Sequence, residues 1–426
     1  MNPEEIYKLI SEKSFNISTD TRALSPGDIY IGIKGENFDG NMFVSQALEK
    51  GALYAITDLE ENKNINKSLF VENTRETLEE LAKIHRSQFS IPIIAIGGSN
   101  GKTTTKELIS AVLQKKYKVH TTKGNFNNDI GLPLTILAMP LDTEIAVIEI
   151  GANHLEEHTK LLNIFSPTYV LVTNNGADHL EGFGSLAGVR KANKEIYDWA
   201  QENNAKTFVN KNISDLIEDS KDNETVIYPS KDFNSKSSLY AGVTYDGQDF
   251  SSSLFGSYNE PNILAAIAVG EYFDVNVKDI QEAVASYEPT LKRSQIINGG
   301  NYKIILDCYN ANPSSMELAL KDFFRQTKNG ERIIITGDMF EMGEEEQMVH
   351  KEILDLLEKL REEKDVVIVV GPRFYQSKDN FPFMFYKNTT DAKDYFDKLD
   401  IKNKTIFVKA SRGMKLEELI KEKIPS

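Results

Sequence analysis

The chain has 426 residues, 40% of them hydrophobic and 27% charged, with a net charge of −15. That length exceeds what one hydrophobic core ordinarily serves, so two or three domains are expected, and the acidic balance argues against nucleic acid or an anionic membrane as a partner. The single cysteine, Cys308, excludes an intrachain disulfide, no apolar run reaches the roughly 18–20 residues that cross a bilayer, and the N-terminal "MNPEEIYKLI" lacks the pattern of a signal peptide, so a soluble cytoplasmic enzyme is expected.

Three regions follow in chain order. Residues 1–88 mix short strand-like runs ("DIYIGI", "ALYAIT") with a helical stretch, 74–88, and read as a small α/β domain. Residues 89–288 open on an apolar run, 91–96, and continue with "IAVIEI" and "YVLVTNN", each followed by a helix-compatible segment. That alternation predicts a mostly parallel sheet with flanking helices. Within this region 211–255 is the least regular stretch, open to reading as a small antiparallel patch or an exposed loop. Residues 289–426 carry the runs "YKIILD", "RIIITG" and "DVVIVVG". A helix whose Val349, Ile353, Leu356, Leu357 and Leu360 share one stripe separates the last two. A second, Rossmann-like α/β domain is expected there.

The strand at 91–96 leads into "GGSNGKTTTKELI". Small residues Gly98, Ser99, Asn100 and Gly101 let backbone N–H groups turn towards phosphate oxygens, and the next helix offers its positive end. Lys102 would neutralise phosphate charge, Thr103 would ligate Mg²⁺, and Thr104 continues the loop into the helix. This is the end of a Walker loop, but Ile96 stands where its first glycine belongs. Glu149 ends the next strand run, where a buried carboxylate needs a cation, and so reads as a Mg²⁺ ligand. His179 follows "YVLVTNN" at the corresponding edge. Asn127 and Asn128 lie in a polar turn, "KGNFNNDIG", able to present amides to a polar ligand. Asp307 ends a strand, and Asn310 and Asn312 occupy the turn before a helix.

"GSNGKTTTKELI" resembles the phosphate loop of the Mur ligases, ATP-dependent enzymes that build the peptide stem of the bacterial cell-wall precursor, and of their relatives the folylpolyglutamate synthetases. Further resemblances follow in order: "EIGANH", "HLEGFGSLAGV", "GSYNEPNILAAIAVG", "LDCYNANPSSM", "GDMFEMGEEEQMVH" and "VKASRGMKLEEL". "EIGANH" and "HLEGFGSLAGV" are closest to the members that add D-alanyl-D-alanine. The N-terminal "TDTRALSPGDIYIGIKGENFDG" resembles the family's uridine-diphosphate-binding domain.

The resemblance implies an ATP-dependent ligase working through an acyl phosphate, with UDP-N-acetylmuramoyl tripeptide and D-alanyl-D-alanine as small-molecule substrates and a monomeric state. It assigns Thr21, Arg22 and Lys34 to uracil and diphosphate, and Asn259, Arg293 and Asp307 to the nucleotide. Asn127, Asn128, Asn310, Asn312, Asp338, Lys409, Ser411 and Arg412 are assigned to the substrates, and His179 to a second Mg²⁺. In many relatives a carbamylated lysine shares that second metal. The family often reads Lys-x-Lys-Gly-Glu, whereas this chain reads Lys191-Ala192-Asn193-Lys194-Glu195. Lys191, Lys194 or no carbamate at all are the alternatives. Other readings are a ligase of a different amino acid, a phosphate-loop ATPase acting through conformation, and a non-catalytic nucleotide binder.

Overall fold

Short apolar runs punctuated by turns become strands here, and the longer amphipathic stretches become their covering helices. The structure, a computed structural model, describes residues 1–12, 16–35, 38–236, 238–289, 292–328 and 330–424; Glu36 and Asn37 of the "KGENFDG" turn lie outside the described residues. Among those residues the strands form a four-, a six- and a nine-stranded sheet.

The first sheet is wholly parallel, in the order Ile17–Ser18, Ile29–Ile31, Tyr54–Thr57 and Ser68–Phe70. The helix Thr74–Arg86 follows it. The Asn73 side chain accepts the Arg75 and Glu76 N–H groups at its start, and Lys83, His85 and Arg86 face the negative end of its dipole. Its buried Leu78, Leu81 and Ala82 join Leu132 and Ile136 of the helix Gly131–Leu137, together with Ile29 and Ile56 of the first sheet and Ile93 and Ile148 of the second. The first two units therefore share one core. Each such fully buried Leu or Ile contributes about 1.5–3 kcal/mol.

The second sheet is also parallel, in the order Thr225–Tyr228, Lys206–Asn210, Tyr169–Val172, Ile93–Gly97, Ile145–Glu149, Val119–Thr121. The chain leaves Ile93–Gly97 towards one edge and returns at Tyr169–Val172 on its other side. Such a reversal opens a crevice at the carboxyl ends of the strands.

The irregular stretch resolves as the antiparallel alternative, with strands Phe233–Ser235, Tyr240–Tyr245 and Gln248–Phe255. These strands do not stay within the second unit. Leu254 pairs with Gln295 of the strand Gln295–Asn298, so the sheet runs on through Lys303–Asp307, Thr405–Lys409, Arg332–Gly337, Val366–Val370 and Met384–Tyr386. It thus crosses the boundary expected at residues 288 and 289, because the edge of Gln248–Phe255 offers backbone groups that seek a partner. The helix Glu346–Leu360 lays Val349, Ile353 and Leu357 into the core of the third unit as its stripe predicts, with Leu356 and Leu360 partly buried against it. The third unit has its own apolar clusters on either face of its sheet. Among the described residues no helix is long and apolar enough to cross a membrane.

Candidate active site

A cleft of about 790 Å³ opens where the phosphate loop, the ends of the second sheet and the third unit meet. The loop is shaped by two left-handed glycines, Gly98 (φ +110°) and Gly101 (φ +83°). A Cβ at Gly98 would lie 2.3 Å from Thr173 Oγ1, and one at Gly101 2.7 Å from Asn262 Oδ1. The Asn100 N–H donates to Asn174 Oδ1 (3.1 Å), and Asn174 Nδ2 donates back to the Asn100 carbonyl (2.9 Å), clamping the loop to the neighbouring strand end. Gly101 is the N-cap of the helix Lys102–Leu113. Lys102 Nζ folds back to donate to the carbonyls of Gly98 (2.6 Å) and Ser99 (2.9 Å), so an ammonium is held at the mouth of a helix N-terminus.

Glu149, at the end of its strand, is buried. Its Oε1 accepts from Thr103 Oγ1 (3.1 Å) and Asn127 Nδ2 (2.9 Å), while Oε2 is buried with no hydrogen-bond partner. An orphaned carboxylate oxygen is costly and asks for a cation. Glu149 and Thr103 are the residues that would hold a divalent ion here, and their oxygen donors fit one. Among the described residues no cluster of three or more His, Cys, Asp or Glu side chains is arranged to hold a metal.

His179 sits beyond the next strand with a left-handed backbone (φ +48°). Its Nδ1 pairs with Glu341 of the third unit, and its Nε2 lies 3.6 Å from Asp178 Oδ2. Burial disfavours the imidazolium, but Glu341 and Asp178 outweigh it and raise the pKa above the usual value. A second cation fits poorly here. The imidazole is already engaged, and the helix Leu186–Glu202 turns Asn193, not a lysine, towards the loop: Asn193 Nδ2 donates to Asn175 Oδ1 (2.9 Å) and lies 3.5 Å from Ser99 Oγ. Lys191 is exposed and does not line the cleft, and Lys194 pairs with Asp198 on the helix surface. The buried His158, packed near this asparagine, is pushed down to about 3 by burial and stays neutral.

The third unit closes the cleft with polar contacts. Asn312 caps the helix Pro313–Gln326, while its Nδ2 donates to Asn100 Oδ1 (2.8 Å) and Asp178 Oδ1 (3.1 Å). Ser314 Oγ accepts the Ala177 N–H (2.9 Å). Asp307 and Lys409 form a buried ion pair at 2.7 Å, and Lys409 also reaches the Asn310 carbonyl. The guanidinium carbons of Arg293 and Arg412 lie 3.7 and 5.2 Å from the centre of the Tyr309 ring. Arg293 Nε is a buried donor without a partner, suited to an anion or a hydroxyl. A second cleft of about 610 Å³ lies in the first unit, lined by Thr21, Arg22 and Lys50 and by Phe38 and Phe43, whose rings stack at 5.1 Å.

The chain matches three domains in order: the catalytic domain of the Mur ligase family over residues 15–92, the Mur ligase middle domain over 96–270, and the Mur ligase glutamate ligase domain over 292–409. It is 33% identical to the UDP-N-acetylmuramoyl-tripeptide–D-alanyl-D-alanine ligase of Bacillus subtilis (strain 168), across 96% of this chain and 93% of that protein. This chain belongs to the Mur ligase family. Its fold is similar to that of MurF from Acinetobacter baumannii, with a TM-score of 0.84 at 26% identity over 96% of this chain and 92% of that one. MurF ligase from Thermotoga maritima, solved in complex with ADP, gives a TM-score of 0.81 at 26% identity, over 95% and 96%.

In this Mur ligase the cleft gathers Ser99, Asn100, Gly101, Lys102, Thr103, Thr104, Asn127, Glu149, His179, Asn259, Arg293, Asp307, Asn310, Lys409 and Arg412. Gly98 acts through backbone shape. Asn259 already donates to the Phe255 carbonyl and accepts from Asn262, leaving one proton and one lone pair for a ligand.

Six expected contacts fall elsewhere. Besides the exposed Lys191, Lys34 is exposed and bridges Asp39 through its backbone rather than lining the first-unit cleft. Asn128 Oδ1 is occupied by the Gly131 N–H at the start of a helix. Asn312 is buried as a cap and an inter-unit tie. Asp338 is fully buried, accepting the Arg373 and Phe374 N–H groups beside His350; burial pushes its carboxyl up and the imidazole down. Ser411 is buried between the Phe340 N–H and the Ala311 carbonyl. Cys308 is a buried filler whose thiol burial pushes up, away from reactivity. Sequence reading missed Asp178, Asn174, Tyr309 and the Phe38–Phe43 pair. Asp178 carried a signal, a carboxylate beside His179 at a strand end; the two phenylalanines carried none.

Proposed function

We propose that this Mur ligase joins D-alanyl-D-alanine to the terminal carboxylate of UDP-N-acetylmuramoyl tripeptide, converting ATP to ADP and phosphate. The observation that carries the reading is the cleft in which a phosphate loop and a turn of the third unit face each other. A carboxylate is a poor electrophile. Receiving the γ-phosphoryl group of ATP turns it into an acyl phosphate with a good leaving group, and an amine can then displace the phosphate to form the amide.

The loop at 98–101 and Lys102 bind and orient the phosphates and offset their charge. Mg²⁺ held by Thr103 and Glu149 would add positive charge beside the transferring group when bound. Asn127 orients Glu149, and Arg293 and Asn259 offer donors to the nucleotide. The first-unit cleft, with Thr21, Arg22 and the stacked phenylalanines, takes the uridine diphosphate end. The third unit presents the amine, and its polar contacts to Asn100 and Asp178 exclude bulk water. A monomeric enzyme of the cytoplasm, where ATP and a nucleotide-linked peptide are at hand and its cysteine stays reduced, belongs to the same reading.

Phosphate release should require both UDP-N-acetylmuramoyl tripeptide and D-alanyl-D-alanine, and mass spectrometry should show the pentapeptide. Equal release without the dipeptide would instead mark an ATPase acting through conformation.

A further inference from the structure

Four carboxylates line the main cleft: Glu149, Asp178, Asp307 and Glu341. Three are committed. Glu149 lies against Thr103 and Asn127 beneath the phosphate loop with its free Oε2 suited to a divalent ion, Asp307 is held by Lys409 at 2.7 Å, and Glu341 is paired with His179. Asp178 is different. Its side chain is 7% exposed, and Oδ1 accepts from Asn312 Nδ2 (3.1 Å), with Asn310 Nδ2 at 3.5 Å, both from the third unit. Oδ2 has no hydrogen bond; its nearest cationic atoms are His179 Nε2 at 3.6 Å and Lys102 Nζ at 3.8 Å. Lys102 meanwhile spends its protons on the loop carbonyls and is placed to turn to phosphate.

Taking the amine substrate from the proposed function, we propose that Asp178 is the anchor for the ammonium group of the incoming dipeptide. Asp178 Oδ2 faces the cleft with its nearest cations only at 3.6 and 3.8 Å, so an ammonium can add the charge-assisted hydrogen bond that neither of them makes. The position is also right for reaction. Lys102 marks the phosphate site, so a nitrogen held on Asp178 Oδ2 stands next to the transferred phosphoryl group; once the ammonium has given a proton to the Asp178 carboxylate that holds it, the freed amine lone pair must come within about 3–3.5 Å of the activated carbonyl. Asn310 and Asn312 aim the carboxylate, so the anchor is complete only while the third unit is docked.

The test uses the full chain loaded with UDP-N-acetylmuramoyl tripeptide and a non-hydrolysable ATP analogue. Calorimetry compares D-alanyl-D-alanine with propionyl-D-alanine, the same skeleton without the ammonium. The wild type should hold the dipeptide about tenfold or more tighter. Asp178→Asn should bind both equally, raise the KM for the dipeptide far more than that for ATP, and Asp178→Glu should restore part of the preference. Equal binding by the wild type, or an undiminished preference in Asp178→Asn, overturns the assignment. If Asp178→Asn does not fold, Asp178→Ser takes its place with the same two outcomes. A wild type that turns over with the dipeptide yet does not prefer its ammonium defeats only the role of Asp178; a wild type that never turns over defeats the ligase reading itself.

Discussion

Replacing Lys102 with Met is expected to lower kcat/KM by about a thousandfold, on the order of 4 kcal/mol of transition-state stabilisation. Methionine keeps most of the stem's volume and removes only the charge. In the structure that ammonium is held by two carbonyls of the loop it serves, so it waits beside the phosphate site and exchanges those bonds for phosphate by a turn of its side chain. No other lysine or arginine side chain lies in the phosphate loop itself. Binding of UDP-N-acetylmuramoyl tripeptide should be nearly unchanged, since its uridine end is assigned to a separate cleft in the first unit. Steady-state phosphate release together with tripeptide binding checks both halves; a variant retaining a tenth of wild-type turnover would refute the role.

Glu149→Gln should move activity and stability in opposite directions. The amide can keep the contacts to Thr103 and Asn127, but the negative charge is lost, and with it the grip on a divalent ion. Turnover should fall by about 10²–10³, and the Mg²⁺ concentration needed for half-maximal rate should rise. Stability should increase by about 1–3 kcal/mol, because an orphaned charged oxygen is removed from the interior. Thermal unfolding followed without nucleotide, beside a Mn²⁺ titration with nucleotide, measures the two effects. A variant less stable than the wild type would mean that Glu149 is satisfied within the protein and is not waiting for a cation.

Much of the site could be read from local sequence because its chemistry is local. The phosphate loop is a contiguous strand, turn and helix start, and Glu149 and His179 announce themselves as polar residues at the ends of apolar runs. Parallel strands placed those ends on one edge, so the meeting of Lys102, Thr103, Glu149 and His179 followed from topology. Resemblance was less reliable for polar residues in turns. Asn128, Asn312, Asp338 and Ser411 satisfy backbone groups, and motif matching cannot tell a side chain that faces a ligand from one that caps a helix. Lys191 failed through register alone, since two residues along a helix carry a side chain to another face. Asp178 went unnoticed because its partners, Asn310 and Asn312, come from more than 130 residues away. The joining of Gln248–Phe255 to the third unit was likewise hidden, as it depends on a single pairing between distant residues.

The core shared by the first and second units makes the enzyme a ruler. Leu78, Leu81, Leu132 and Ile136 weld the two units, Arg86 donates to the Phe165 carbonyl at 2.6 Å, and His85 donates to that of Met139 at 2.8 Å. The third unit, by contrast, meets the second at the cleft through polar contacts that water can replace at small net cost. The span from the uridine cleft to the phosphate loop is therefore constant, while the third unit, tied to the second by the pairing of Leu254 with Gln295, can loosen only its contacts across the cleft. A nucleotide-linked peptide must match that span for its carboxylate to reach Lys102. UDP-N-acetylmuramoyl dipeptide, one residue short, should occupy the first cleft yet release no phosphate, and appreciable turnover with it would show that the gauge can stretch.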